Sequence, residues 1–117
     1  MNEFVLLYRG DKNAFAAWPE NRPQQEIDAM RKRWRAWFDR LAAEGALKTI
    51  GVPLQYSGKH VVSNGTITDG PFAEGKEIVG GFSVVNASTI EEAAKLAAGC
   101  PIIAFGGAVE VRPLQPM

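Results

Sequence analysis

The residues best suited to chemistry lie between Asp69 and Glu77, where Asp-Gly-Pro-Phe-Ala-Glu-Gly-Lys-Glu sets three acids, a lysine and a phenylalanine around turn residues. A connection uses Gly and Pro for its geometry. It has no such use for Phe72, Glu74, Lys76 and Glu77, so the segment reads as a built site. Asp69 suits a general base or ligand anchor, and equally a carboxylate that closes the Gly70-Pro71 turn; the two roles can coexist. Glu74, Lys76 and Glu77 read either as a solvated loop with weak ion pairs of about 0–1 kcal/mol or as a charged rim over a pocket. In the second case Lys76 holds an anionic ligand and Glu77 moves protons. Phe72 is then a pocket wall, and otherwise a loop anchor in the core.

Other candidates lie outside that segment. His60 is the only histidine; it is an acid–base group if it points into a cleft and a surface residue if it does not. Glu110 and Arg112 are two apart in an alternating strand and so share a face. Arg112 could grip a carboxylate or enolate bidentately, against the plainer reading of an ion pair with Glu110. Arg9 closes an otherwise apolar run and marks the same cleft mouth. No metal site is expected, because one His and one Cys without ligand spacing do not form one. The Gly-rich stretches lack a phosphate-loop pattern, and no cofactor is expected. Cys100 reads as an inert buried thiol.

Composition narrows the class of protein. The chain has 117 residues, 46% hydrophobic and 22% charged, which fits a single domain over residues 1–117 with a modest core. Thirteen basic residues balance thirteen acidic ones, so nucleic acid is not an expected partner. A lone cysteine rules out an internal disulfide framework and suits a reducing compartment. No apolar run is long enough to span a membrane, and the first residues lack the basic start of a signal peptide. The expectation is a cytoplasmic protein without membrane attachment.

The elements that must position these residues follow from periodicity. Phe4 to Arg9 is a continuous apolar run, read as a strand buried on both faces. From about Gln24, Ile27, Met30, Trp34, Trp37, Phe38 and Leu41 form a helical stripe, with basic residues Arg31, Lys32, Arg33, Arg35 and Arg40 off it. Gly45 stops the helix. Leu47 to Tyr56 reads as an extended loop or irregular edge strand. Asn64-Gly65 between two β-rich runs predicts a hairpin with positive φ at both turn positions. Ile78 to Val85 is a second long apolar run, and Gly80-Gly81 inside it predicts a bulge or a close backbone approach. Ser88 to Glu91 reads as a capping box with Ser88 as N-cap. The helix that follows should end near Gly99, and Ala108 to Arg112 alternates as a last strand.

The order is that of a ferredoxin-like α+β sheet, βαββαβ, with an extra hairpin. Two helices cover one face of such a sheet. Yet the first and third main strands are apolar on both faces: Phe4, Leu6 and Tyr8 against Val5 and Leu7, and Ile78, Phe82 and Val84 against Val79 and Val85. Packing the second face against a second copy resolves this, each buried side chain contributing roughly 1.5–3 kcal/mol. The expected assembly is a homodimer, a dimeric α+β barrel with a ligand cleft between sheet and loops.

The motifs Thr68-Asp69-Gly70-Pro71-Phe72-Ala73-Glu74, Lys76-Glu77, Gly80-Gly81-Phe82 and Val109-Glu110-Val111-Arg112-Pro113 resemble those of the YCII-related proteins of the DGPF-domain type, over nearly the whole chain. The resemblance implies the dimeric α+β barrel. It also implies kinship with small-molecule enzymes that carry a His–Asp pair, the histidine on the first helix. Aligning Arg31-Lys32-Arg33-Trp34 puts Trp34 in that position, so the pair is not intact here. Genes of this type often neighbour extracytoplasmic-function sigma factors, which implies a regulatory setting. Three functions follow as expectations. One is a dimeric protein binding a small anionic or aromatic ligand near Asp69–Glu77. Another is an acid–base lyase, isomerase or dehydrohalogenase using Asp69 or His60. The third is a regulatory protein whose partner belongs to sigma-factor signalling.

Overall fold

In the computed structural model, residues 1–11, 14–15, 22–70 and 78–116 are described. The order along the chain is β1 (Asn2–Gly10), α1 (Gln24–Ala43), β2 (Leu47–Thr49), β3 (Gly58–Val61), β4 (Ile67–Gly70), β5 (Ile78–Ala87), α2 (Ile90–Ala97), a 3-10 helix (Pro101–Phe105) and β6 (Ala108–Pro113). Strands β2, β5, β1 and β6 form one antiparallel sheet in that order, and β3 pairs with β4 in a separate ribbon. Leaving the ribbon aside, the main strands run second–third–first–fourth across the sheet. With both helices on one side, this is the ferredoxin-like α+β fold.

Alternation sets the two faces of the sheet. Phe4, Leu6 and Tyr8 of β1 and Val85 and Ala87 of β5 are buried with Trp37 and Leu41 of α1 and Ala93 and Ala97 of α2. The helical stripe behaves as its spacing predicts: Met30, Trp37 and Leu41 are buried, with Trp34 and Phe38 half-buried against the core. Tyr8 meets Trp34 edge-on at 4.8 Å between ring centres. The Trp37 indole N–H donates to the Leu96 carbonyl at 3.2 Å and so ties the two helices together. Ser83, fully buried, accepts from the Tyr8 hydroxyl at 2.6 Å and donates to the Ile50 carbonyl at 2.6 Å. That relay satisfies the Tyr8 and Ser83 hydroxyls and pins the segment after β2 to β5.

Leu47 to Tyr56 is an irregular edge, as read from its Gly and Pro. β2 is three residues long, and the chain rejoins β5 through the Pro53–Gly81 bridge and a bond from the Leu54 amide to the Gly80 carbonyl. Gly80-Gly81 also meets its expectation. The register slips between Tyr8 and Arg9, and a Cβ at Gly80 would sit 2.4 Å from the Phe15 ring. The bulge has a consequence for the strand's faces. Ile78 pairs with Gly10 and packs on the core, whereas Val79 pairs with Arg9 on the other face. Ile78 therefore leaves the side that simple alternation gives it with Phe82 and Val84.

Two local expectations are corrected. The cap of α2 sits one residue later than Ser88: Thr89 is the N-cap and accepts from the Glu92 amide at 3.2 Å, while the Glu92 carboxylate accepts from the Ser88 amide at 3.1 Å. The sequence offers Ser-x-x-Glu and Thr-x-x-Glu in adjacent frames, and the frame that turns Ala93 and Ala97 inward wins. In the hairpin, only Gly65 has positive φ, at 81°. The Gly65 amide donates to the Val62 carbonyl, and the Val62 amide to the Thr66 carbonyl. The loop is thus three residues long, a turn followed by a left-handed glycine, rather than the two-residue Asn64-Gly65 turn.

Two measurements test this core. Trp37→Ala should lower unfolding stability by about 3–5 kcal/mol in urea titrations, from the packing lost in the core. Burial raises the Cys100 thiol from 9.0 to about 12 and pushes the Tyr8 phenol above its ordinary 10.0. Both groups are held protonated by the fold, so the stability this confers is complete below the unfolded values and is lost as pH rises. The urea midpoint should fall progressively above about pH 9, and Cys100→Ala or Tyr8→Phe should flatten that fall. A midpoint flat to pH 11 or so would contradict the burial of these groups.

Candidate functional site

The sheet face opposite the helices carries Val5 and Leu7 from β1 and Phe82 and Val84 from β5, all half-buried, with Val5 opposite Val84 and Leu7 opposite Phe82. β6 adds charge to this apolar strip. Glu110 lies opposite Leu7 and Arg112 opposite Val5, so both project from the open face as their spacing predicts, while Val109 and Val111 pack against the core. Arg9 joins them diagonally: its Nη1 donates to Glu110 Oε1 at 2.8 Å. The Arg112 Nε lies 4.0 Å from Glu110 Oε2, and its side chain is 67% exposed. One carboxylate thus stands between two guanidinium groups. Lys48 and Glu3 pair at the other end of the strip.

The ribbon holds the remaining described candidates. Asp69 lies opposite Lys59 and His60 opposite Thr68. The loop type decides this register. A two-residue turn at Asn64-Gly65 would have set His60 opposite Asp69. The three-residue loop instead gives Asp69 to Lys59, and their side chains form an ion pair. Asp69 is 90% exposed, and it projects from the ribbon face opposite to that of His60. The His60 ring lies over Gly70, where an added Cβ would come within 2.8 Å of Cδ2.

The structure therefore brings Arg9, Glu110 and Arg112 together on the sheet and places Asp69 and His60 back to back on the ribbon. Phe72, Glu74, Lys76 and Glu77 lie outside the described residues. Lys59, the partner of Asp69, was missed in the sequence; the hairpin register with a three-residue loop would have found it. Trp34, in the aligned position of the helix histidine, is half-buried in the aromatic core with Tyr8, Trp37 and Phe38. Among the described residues, no three His, Cys, Asp or Glu side chains cluster as metal ligands. No described helix is long and apolar enough to cross a membrane.

A ferredoxin-like sheet with an amphipathic open face defines a class of small α+β proteins. The family model of the YCII-related domain matches residues 3–117, and the chain belongs to that family. No curated protein matches the sequence.

The geometry of Asp69 generates a direct prediction. Asp69→Asn and Lys59→Met break an ion pair that is exposed on both sides, so neither should move the urea midpoint, and circular dichroism should be unchanged. A clear destabilisation would show that the pair holds the ribbon in place.

Proposed function

We propose that this protein is a homodimer of the DGPF type, a dimeric α+β barrel that binds a small anionic or aromatic molecule at the charged end of its open sheet face. The observation that carries this reading is the strip of Val5, Leu7, Phe82 and Val84, bordered by Arg9, Glu110 and Arg112, on the sheet side away from both helices. The apolar part suits burial against a second copy. The charged end suits a carboxylate or phenolate: Glu110 holds Arg9, and the more exposed Arg112 guanidinium can engage an incoming anion. On this reading Phe72, Glu74, Lys76 and Glu77 also contribute to ligand binding. A single buried thiol at Cys100 suits a reducing compartment, in keeping with a cytoplasmic location.

Ligand binding is preferred to acid–base turnover for a geometric reason. Asp69 and His60 project from opposite faces of the ribbon and would have to act singly.

A thermal-shift panel of small carboxylates and phenols tests the proposal. A ligand at 100 times its dissociation constant adds about 2.7 kcal/mol to native stability, which is readily seen as a raised midpoint. The expected result is at least one such shift in the wild type that Arg112→Ala loses. No shift across the panel, or a shift that Arg112→Ala retains in full, overturns the assignment of this face.

A further inference from the structure

We infer that the outer face of α1 is a docking surface for a short acidic segment of another polypeptide. This helix lies on the side of the sheet away from the Arg9–Glu110–Arg112 group.

Charge is matched unevenly over the molecule. On the sheet and the ribbon, cations stand against carboxylates: Arg9 and Arg112 with Glu110, Lys48 with Glu3, and Lys59 with Asp69. On α1 they do not. Arg31, Lys32 and Arg35 are exposed, and among the described residues none of them makes an ion pair or a side-chain hydrogen bond. Acids are not scarce, since thirteen of them balance thirteen bases along the chain. The two within reach on the same helix do not serve. Asp28, four residues before Lys32, accepts instead from Gln24 Nε2 at 3.0 Å. Asp39, four residues after Arg35, forms no ion pair with it among the described residues. Arg31 and Arg35 are themselves four apart, a like-charge spacing that disfavours a helix. The fold therefore holds three cations together and leaves their charge unanswered.

The helix period puts these residues on one face. Asp28, Arg31, Lys32, Arg35 and Asp39 fall within about 100° of the helix circumference, on the side away from the buried Met30, Trp37 and Leu41. Arg33 points elsewhere, with its guanidinium over the Phe105 ring at 5.7 Å. Along the axis the face reads acid, base, base, base, acid.

That pattern selects the occupant. Arg31 and Arg35 are about 6 Å apart along the axis, the same spacing as two glutamates at i and i+4 on a partner helix. The interval from Asp28 to Asp39 is only about 16 Å. A nucleic acid or an anionic membrane extends past it and brings negative charge onto both aspartates, and each calls for a broader basic surface than three residues. A second copy offers the same symmetric pattern, so like charge would meet like charge in either direction. A run of a few carboxylates fills the centre and stops short of the ends. Charge matching of this kind steers encounter and sets partner choice.

Fluorescence anisotropy at low ionic strength tests the surface, with fluorescein-labelled octaglutamate as the probe and octaglutamine as its neutral control. The proteins are wild type, Arg31→Gln/Arg35→Gln, and Arg40→Gln/Lys95→Gln, which removes the same charge away from this face. Glutamine has nearly the helix propensity of arginine, so circular dichroism should be unchanged in both variants. The expected result is binding of octaglutamate and not of octaglutamine by wild type. Its dissociation constant should rise at least about tenfold in Arg31→Gln/Arg35→Gln and less than about twofold in Arg40→Gln/Lys95→Gln. No binding by wild type, or an equal loss in the two variants, overturns the docking surface. Tighter binding of a single-stranded oligonucleotide of equal charge, or of phosphatidylserine vesicles, with the same dependence on Arg31 and Arg35, overturns the acidic polypeptide as its occupant.

Discussion

A sheet of this size has two faces, and two helices cover one. This constraint organises the molecule. On the helix side, Phe4, Leu6, Tyr8 and Val85 meet Trp37, Leu41, Ala93 and Ala97 in one core. On the other side, Val5, Leu7, Phe82 and Val84 remain half-buried beside a charged group at β6. An apolar sheet face left in water is costly and prone to association. The proposed burial against a second copy, with a ligand held where the charges begin, would account for the apolar strip and for the arginines beside it.

The fold was largely legible from sequence because its information is local and periodic. The six-position stripe of α1, the apolar runs of β1 and β5 and the Gly80-Gly81 bulge each carry their own physical reason. What escaped was register. The cap of α2 had two frames one residue apart, and only the inward direction of Ala93 and Ala97 separates Thr89 from Ser88. The hairpin had two loop lengths compatible with Asn64-Gly65. Choosing between them exchanges the partner of Asp69, because one step of register moves every side chain to another opposite residue.

The same lesson holds for the candidate site. Glu110 and Arg112 were placed on one face by simple alternation. That Arg9 would donate to Glu110 depends on β1 pairing with β6, a long-range fact no local pattern carries. Asp69 and His60 stand close in a list of reactive residues and point apart in space. Reactive residue types therefore named the candidates, and strand pairing decides which of the described ones stand together.

The central claim is that the open sheet face is covered by a second copy. Static light scattering at micromolar concentration, on wild type beside Leu7→Asp, tests it most directly. The substitution puts a charge in the middle of the apolar strip without touching the helix-side core. A mass of twice 12.7 kDa for wild type and of one chain for the variant is the predicted result. Equal masses for the two proteins, whether one chain or two, would contradict it.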